Sequence, residues 1–334
     1  MNIVVLRYGG LGDILLATPL LRVLHERFND ATITFVTESG NVGILAQAPL
    51  VQSTIGLDQA TRSSITASFA KATALRKHHG KVDLFINLQP SLKSFALGLG
   101  LMPRTSWTFK KDRRTQAATG KVRHAIDDFL NVLPDGIPPG VDRGMEFVVT
   151  SDAKASAERK LSELSIDSTT GIMINPAGTR DINRWPPEKL AQLIDWIENQ
   201  MQGHTPVLIG GPGDVWLEEA IVGHIGRPIR SLVGKLSLQE LGAVMQTAAA
   251  IVTGDTGPLH IAAAVGARIV CLSGAADPDR TGPSNNPRDL VVINRTLSCV
   301  PCQGRSCKRG DIACMTQMSV ESVVDALERR IKAR

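Results

Sequence analysis

The chain has 334 residues, of which 43% are hydrophobic and 21% charged, so it is too long for one ordinary domain and too apolar for a disordered protein. Its formal net charge of +5 and pI of about 9.0 favour an acidic partner, but they do not choose between phosphates, a nucleic acid and an anionic membrane surface.

The continuous apolar run before Arg7 has only four residues, Ile3 to Leu6, which is too few for a secretory signal. No uncharged apolar run is long enough to cross a bilayer. We therefore expect a cytoplasmic protein.

Short runs rich in β-branched residues alternate with amphipathic stretches along the whole chain. The predicted strands cover residues 2–7, 32–37, 83–88, 170–175, 205–210, 250–254, 268–273 and 290–294. The predicted helices between them include residues 13–28, 186–201 and 237–248. Because several strands are apolar on both faces, this alternation predicts a doubly wound α/β architecture with parallel sheets.

A polar helical stretch at residues 151–164, followed by the turn-rich SIDSTTG, marks the boundary between two domains. We predict Rossmann-like domains at 1–166 and 167–316, followed by a C-terminal helix in 317–334. The basic segment 105–123 is predicted to be a loop. Ligands of such sheets bind beyond the carboxyl ends of the strands, so each strand–helix turn is a candidate site.

The first of these turns, RYGGLGDILLATPLLR, contains the glycines Gly10 and Gly12. It lacks the third glycine of a dinucleotide fingerprint and the lysine of a triphosphate-binding loop. It remains a turn at which backbone can approach a ligand, followed by Asp13 in the first turn of a helix. Asp13 is either a helix cap or a functional carboxylate.

A second turn lies in INPAGTRDINRWPPEKL, where a strand ends and Pro186 or Pro187 starts a helix. Its hydroxyl, amide and charged side chains are Thr179, Arg180, Asp181, Asn183 and Arg184. Guanidinium groups at a helix N-terminus suit an anion. The alternative is that Arg184 and Trp185 form an ordinary stacked surface pair.

A third turn, in AIVTGDTGPLHIAAAVG, carries Asp255, Thr256, Gly257 and His260. Its backbone N–H groups could hold a diphosphate where the strand ends and the helix begins. His260 is either a ligand contact or a structural hydrogen-bonding residue.

Together the three turns resemble those of the ADP-heptose:lipopolysaccharide heptosyltransferases, glycosyltransferase family nine. The resemblance covers almost the whole chain, with a shorter match at RHAIDDFLNVL (residues 123–133). It implies a GT-B fold, with two Rossmann-like domains facing a central cleft. The first would bind the acceptor and the second the nucleotide sugar, and the C-terminal helix would cross back to the first domain.

The resemblance also implies an inverting glycosyltransferase that needs no catalytic cofactor or metal. It would move heptose from ADP-heptose to a phosphorylated glycolipid acceptor, the lipid A–Kdo inner core of lipopolysaccharide in a Gram-negative bacterium. Such an enzyme would work in the cytoplasm, peripherally on the inner face of the inner membrane.

The resemblance implies a catalytic residue and donor-binding residues by their match to family motifs. The basic residues of 105–123 are either acceptor contacts, as the resemblance favours, or a solvated flexible segment. Asp13 matches the general base. The donor-binding positions are Thr179, Arg180, Asp181, Asn183, Arg184, Asp255, Thr256, Gly257 and His260, with Asp214 and Glu218 as weaker candidates for ribose contacts. The acceptor-binding positions are Gly10, Gly12, Lys110, Lys111, Arg113, Arg114, Lys121, Arg123 and His124. Many relatives have a lysine where this chain has Asn183, which leaves the donor sugar open.

Four cysteines near the C-terminus have the spacing C-x2-C-x4-C-x6-C: Cys299, Cys302, Cys307 and Cys314. Four thiolates could bind a structural zinc or iron ion. The alternatives are reduced thiols on a loop or a labile disulfide. Cys271, within an apolar strand, is expected in the core.

Three other functions remain open. They are a sugar-nucleotide 2-epimerase on the same fold, a heptosyltransferase that modifies a protein hydroxyl, and a non-catalytic nucleotide-binding or nucleic-acid-binding protein. The basic loop has only Trp107 and Phe109 at its start and lacks the interleaved aromatic residues needed to stack on bases. We therefore expect no nucleic-acid partner.

Overall fold

A computed structural model describes residues 1–111, 122–178, 180–283 and 291–332. The chain forms two compact units, Met1–Val148 and Val149–Arg334, and each contains a five-stranded parallel sheet. The doubly wound α/β prediction is therefore confirmed. Four predicted site residues lie outside the described residues, namely Arg113, Arg114, Lys121 and Thr179.

The first unit has the strand order β3-β2-β1-β4-β5, so β1 lies in the centre of its sheet. Its strands are β1 (Asn2–Leu6), β2 (Thr32–Glu38), β3 (Ser53–Leu57), β4 (Leu84–Asn87) and β5 (Thr105–Thr108). Its helices are α1 (Leu11–Leu16), α2 (Thr18–Arg27), α3 (Gln59–Ser63), α4 (Ile65–His79), α5 (Leu92–Leu101) and α6 (Ala125–Leu130). Leu6 pairs with Val36 on one side and with Asn87 on the other, so three strands end at the same edge.

The helix predicted over residues 13–28 is two helices, α1 and α2, with a break at Ala17. Pro19 has no N–H with which to reach the carbonyl of Leu15 four residues earlier. The hydroxyl of Thr18 donates to that carbonyl instead, at 2.7 Å. The proline therefore explains why one amphipathic pattern produces two helices.

Two strands were not predicted, β3 and β5, and both are at the edges of the first sheet. The segment TSWT of β5 was assigned to a loop, yet Thr105 pairs with Leu84 and Thr108 with Asn87. Edge strands are short and half exposed, so they lack the continuous apolar run that identifies a central strand.

The second unit has the strand order β10-β9-β8-β6-β7. Its strands are β6 (Gly171–Asn175), β7 (Thr205–Leu208), β8 (Ala250–Gly254), β9 (Ile269–Ser273) and β10 (Val291–Ile293). Its helices are α7 (Ser151–Glu163), α8 (Pro187–Gln200), α9 (Val215–Ile225), α10 (Leu238–Thr247), α11 (Gly257–Ala264), α12 (Pro278–Thr281), α13 (Ala313–Thr316) and α14 (Val320–Lys332). Short 3₁₀ turns at Asp181–Asn183 and Pro212–Asp214 precede α8 and α9.

The boundary between the units lies at Val148, eighteen residues before the predicted one at 166, because α7 packs within the second unit. Helix α7 buries Ala157 and Leu161, and its Lys160 Nζ lies 2.7 Å from Glu240 Oε1 of α10. Partial burial opposes ionisation of Glu240, but hydrogen bonds from Lys160 and its other neighbours lower the pKa of this carboxyl to about 2.

Helix α14 packs on the sheet of the second unit, where Val323 and Leu327 lie in the same core as Val270 of β9. The expectation that the C-terminal helix crosses back to the first domain stays a prediction. An amphipathic helix that follows a sheet is most stable when its apolar stripe covers that sheet. Among the described residues, none of the helices has the length and hydrophobicity that a membrane span requires.

Candidate active site

Asp13 lies in the first turn of α1, directly after the carboxyl end of the central strand β1. Its side chain is 37% exposed, and its Oδ2 accepts a hydrogen bond from Arg7 Nη2. No side chain caps this helix at Gly10. Asp13 is therefore an accessible carboxylate at the edge of the sheet where ligands of such folds bind.

Arg7 holds Asp13 in place and is itself firmly positioned. Its Nη1 donates to the carbonyl of Leu88 at 3.2 Å, and its guanidinium lies 5.6 Å from the centre of the Phe129 ring. No role for Arg7 was predicted from the sequence. A charged residue just beyond a buried central strand was the signal that could have identified it.

The glycines of this turn pass between two carboxylates. A Cβ atom on Gly10 would lie 2.4 Å from Asp13 Oδ2, and one on Gly9 would lie 2.4 Å from Glu38 Oε1. Glu38, at the end of β2, is paired with Arg62 at 2.5 Å. Glu38 was also missed, because its approach to the turn depends on the alignment of β1 with β2. The glycines thus keep the backbone close to acidic side chains.

The segment that matches RHAIDDFLNVL forms α6 and packs against α1 and α2. Its Phe129 lies beneath Arg7 and 5.6 Å from the ring of Phe109, which precedes the exposed Lys110. His124 is the N-cap of α6 and accepts a hydrogen bond from the Ile126 N–H at 3.3 Å. Contacts through Phe109 and Phe129 therefore connect the start of the basic segment with Arg7 and Asp13.

In the second unit, Arg184 follows the 3₁₀ turn Asp181–Asn183 and forms an ion pair with Asp181. Its guanidinium lies 5.1 Å from the centre of the half-exposed Trp216 ring of α9. Trp185, by contrast, is buried and donates to the Met318 carbonyl at 3.1 Å. The alternative of a surface pair between Arg184 and Trp185 is therefore wrong. Trp216 is a further candidate site residue, which was not predicted from the sequence.

The second and third turns lie side by side in this unit. Asn175, at the end of β6, donates to Thr253 at 2.9 Å and to Thr256 at 3.3 Å. A Cβ on Gly254 would lie 3.1 Å from the Asn183 carbonyl oxygen, which requires a small residue at that position. These contacts bring the start of α11 next to the Arg184 turn.

Thr256 is the N-cap residue of α11, but its side chain makes no capping hydrogen bond to the helix. The Thr256 hydroxyl instead accepts from Asn175. The α11 N-terminus, with Gly257 as its first residue, therefore has the features of an anion site, since backbone N–H groups and the helix dipole act together there.

His260 is buried and the Asp255 side chain is 10% exposed, with His260 Nε2 3.8 Å from Asp255 Oδ1. Asp255 also accepts a hydrogen bond from the Thr281 hydroxyl at 2.5 Å. Their side chains thus contact each other within the unit, an arrangement that fits the structural alternative considered for His260. Arg180 reaches the Gly304 carbonyl at 3.0 Å and so connects this turn with the cysteine segment.

Asp214 accepts a hydrogen bond from the Gly211 N–H at 2.8 Å and thereby stabilises the turn before α9. Glu218 lies in the first turn of α9, two residues after Trp216. Both acidic residues are therefore close in sequence to Trp216, the aromatic partner of Arg184. Their assignment to ribose stays a prediction.

The four C-terminal cysteines are unpaired thiols; Cys299 and Cys302 are exposed, whereas Cys314 is buried. Burial raises the pKa of the Cys314 thiol, and the charges of the other three add to this increase. Among the described residues, no three His, Cys, Asp or Glu side chains are arranged to hold a metal ion. The zinc or iron site therefore stays a prediction. Cys271 is in the core, as predicted.

Comparison with known proteins identifies the family to which this geometry corresponds. Residues 70–313 match the family model described as Glycosyltransferase family 9 (heptosyltransferase). Lipopolysaccharide heptosyltransferase 3 of Escherichia coli is 27% identical over 282 residues, which cover 80% of this chain and 81% of that protein.

Solved structures give the same result for the fold. A glycosyl transferase family 9 protein from Veillonella parvula superposes with a TM-score of 0.84 at 24% identity, covering 99% of this chain and 97% of that one. The E. coli ADP-heptose lps heptosyltransferase II superposes with a TM-score of 0.77 at 20% identity, covering 99% and 98%. The expected GT-B fold is thereby confirmed.

Proposed function

The chain belongs to glycosyltransferase family 9, and from this premise we propose that it transfers heptose from ADP-heptose to the inner core of lipopolysaccharide. The observation that carries the proposal is the family match over residues 70–313. Two features support it: an accessible carboxylate at the edge of the first sheet, and two adjacent turns in the second unit whose charges and N–H groups suit an anion.

For the donor, we propose that the diphosphate of ADP-heptose binds between the Arg184 turn and the N-terminus of α11. Arg180 and Arg184 would supply positive charge, and the first N–H groups of α11 would supply hydrogen bonds. Trp216, held against Arg184, offers an aromatic face beside the same turn. The name of the E. coli heptosyltransferase II specifies ADP-heptose as its donor, in agreement with this assignment.

For the chemical step, we propose that Asp13 acts as general base. The acceptor hydroxyl oxygen attacks the anomeric carbon, and its proton passes to the Asp13 carboxylate. The bond from the anomeric carbon to the diphosphate oxygen breaks, and ADP leaves with the electron pair. Attack opposite the leaving group inverts the anomeric centre. Arg180 and Arg184 would stabilise the charge on the departing diphosphate, so this step uses no metal ion.

For the acceptor, we propose a phosphorylated glycolipid of the lipid A–Kdo type at the inner face of the inner membrane. Lys110 follows Phe109, and Arg123 lies six residues before Phe129. Phe129 packs beside Arg7, and Phe109 packs against Phe129. Cations at these positions would attract the phosphates of such an acceptor. The relative named lipopolysaccharide heptosyltransferase 3 supports this acceptor class.

The test measures release of ADP from ADP-heptose with and without a lipid A–Kdo acceptor, together with mass analysis of the acceptor. We expect ADP release to depend on the acceptor and the acceptor mass to increase by one heptose. Asp13→Asn, which preserves the shape of the side chain, should lose roughly 10²–10⁴-fold in kcat.

Three results would contradict the proposal. The first is conversion of the sugar nucleotide to its epimer without acceptor and without release of ADP, which would indicate an epimerase. The second is transfer of heptose to a protein hydroxyl but not to the glycolipid. The third is undiminished turnover by Asp13→Asn, which would leave transferase activity possible but remove Asp13 as its base.

A further inference from the structure

Helix α5 presents an apolar face to solvent. Leu92, Phe95 and Leu99 are spaced i, i+3, i+7, so they lie on one side of the helix, and Met102 directly follows its end. These four side chains are between 53% and 77% exposed. The opposite face, which includes Leu97 and Leu101, is buried against the sheet.

Helix α4 extends this apolar face. A Cβ on Gly100 would lie 2.6 Å from the Phe69 carbonyl oxygen and 2.8 Å from Ala72 Cβ, so the two helices are in close contact there. Ile65 and Phe69, one turn apart on α4, are both more than 40% exposed. We call the six residues Ile65, Phe69, Leu92, Phe95, Leu99 and Met102 the α4–α5 apolar surface.

The segment that contains this surface is strongly basic. Residues 59–111 include nine lysines and arginines and a single acidic residue, Asp83. Asp83 accepts a hydrogen bond from the Asn2 N–H at 2.9 Å and lies 3.6 Å from Arg104. Arg104 and Asp83 thus offset each other, as do Arg62 and Glu38. The remaining seven lysines and arginines leave the segment with net positive charge.

The cations belong to the two helices and to the loops that follow them. Arg76, in the last turn of α4, lies 2.9 Å from the Met102 sulfur. Lys77 and Lys81 are exposed at the end of α4, and Lys93 is in the first turn of α5. Long basic side chains beside an exposed apolar stripe can reach outward while their methylene groups stay in contact with apolar surface.

We propose that the α4–α5 apolar surface docks onto an anionic lipid bilayer, with its six apolar side chains at the boundary between headgroups and acyl chains. The surrounding lysines and arginines would contact the negatively charged headgroups. Interfacial helices combine an apolar face with Lys and Arg in this way, and each cation near an anionic membrane adds to the affinity. Exposed apolar patches of this kind mark interaction sites.

A second copy of the chain suits this surface less well. In a symmetric dimer through the α4–α5 apolar surface, the same net-positive surroundings would face each other, and like charges brought together at an interface oppose association. An anionic membrane has the complementary charge. The inference deepens the proposed peripheral location, but it does not require that the donor or acceptor has been identified correctly.

The experiment is flotation of the full-length protein with vesicles that contain neither donor nor acceptor. One set contains equal parts of phosphatidylcholine and phosphatidylglycerol, and the other contains phosphatidylcholine alone. We expect binding to the anionic vesicles that weakens as salt is raised, and at least tenfold weaker binding to the neutral ones. Leu92→Ser/Phe95→Ser/Leu99→Ser should reduce binding to the anionic vesicles at least tenfold, as should Lys77→Glu/Lys81→Glu.

Matched controls change similar residues elsewhere. Val215→Ser removes an exposed apolar side chain of α9, and Lys154→Glu/Arg159→Glu reverses two exposed charges of α7. Both controls should float like the wild type. The thermal unfolding midpoints of all variants should lie close to the wild-type value, because every substituted side chain is on the surface.

The proposal is overturned if the wild type does not bind anionic vesicles, or if the triple serine variant binds like the wild type. A further result would also overturn it. In this result, sedimentation without lipid shows that the wild type is a dimer and the triple serine variant a monomer, and the two bind vesicles equally. The surface would then be an interface between copies of the chain. None of these results depends on heptose transfer. A failed transfer assay combined with normal flotation would refute the proposed function alone.

Discussion

Replacement of Gly10 by alanine tests whether the position of Asp13 controls the reaction. The alanine Cβ would lie 2.4 Å from Asp13 Oδ2, and ordinary contact begins at 3.4 Å, so the carboxylate must move by about 1 Å. Arg7 holds the carboxylate in its present place, so this movement also disturbs the ion pair. A misplacement of about 1 Å at a reacting group costs roughly 10²-fold in rate, or about 2.7 kcal/mol.

The same substitution also strains the backbone, because Gly10 has φ +83°. A residue with a Cβ in this region costs roughly 1–2 kcal/mol, which lowers the free energy of unfolding. Gly136→Ala is the matched control, since Gly136 has φ +81° and a Cβ there would meet nothing within 4 Å. It should lose similar stability without moving Asp13.

The assay compares kcat for acceptor-dependent ADP release with urea unfolding of the two variants. We expect similar losses of unfolding free energy in both, and a loss of roughly 10²-fold in kcat in Gly10→Ala alone. If both variants retain wild-type kcat, the location of the Asp13 carboxylate does not limit the reaction. If both lose kcat equally, the loss comes from destabilisation.

Three further predictions concern the second unit. Glu240→Gln should lower the free energy of unfolding by about 1–2 kcal/mol at neutral pH. The reason is that the pKa of Glu240 in the folded protein, about 2, lies below the ordinary value of 4.5. The magnitude is reduced because exposure of Lys160 to solvent screens part of the ion pair. The difference in unfolding free energy between the variant and the wild type should persist above pH 4.5 and disappear as the pH falls toward 2. A difference that does not change with pH would refute the role of the Glu240 charge. Arg184→Ala should raise the KM for ADP-heptose about tenfold in initial-rate assays, since it removes a guanidinium from the proposed diphosphate site, and an unchanged KM would exclude that site. Elemental analysis of the purified protein should find close to one zinc or iron per chain and much less in Cys302→Ser, whereas equal metal contents would exclude the cysteine site.

Much of the fold was predictable because its signals are local. Central strands such as β1 and β8 are continuous apolar runs, and helices such as α8 and α10 have clear amphipathic periodicity and cap residues. The three site turns were predictable for a related reason. In a parallel sheet each turn after a carboxyl end faces the ligand side, so a turn rich in Gly, Asp and Arg is identifiable from the sequence alone.

Other features depend on which distant segments come together. Trp185 is the neighbour of Arg184 in the sequence and the partner that the sequence suggests. Packing instead buries Trp185 and places Trp216 of α9 against the guanidinium. The domain boundary moved to Val148 because α7 docks on α10, a contact between residues far apart in the chain.

The sequence by itself determined the two α/β units, the strand–helix turns in each unit that carry the candidate site residues, and Asp13 as the carboxylate at the first of these turns. The tertiary structure alone decided that Arg7 holds Asp13 and that Glu38 approaches Gly9. It also decided that one face of α5 remains exposed. The segment LKSFALGLGL is apolar on nearly every side, so its periodicity does not separate a buried face from an exposed one. Burial is a property of the neighbours that a helix acquires on folding, and the composition of the helix does not specify them.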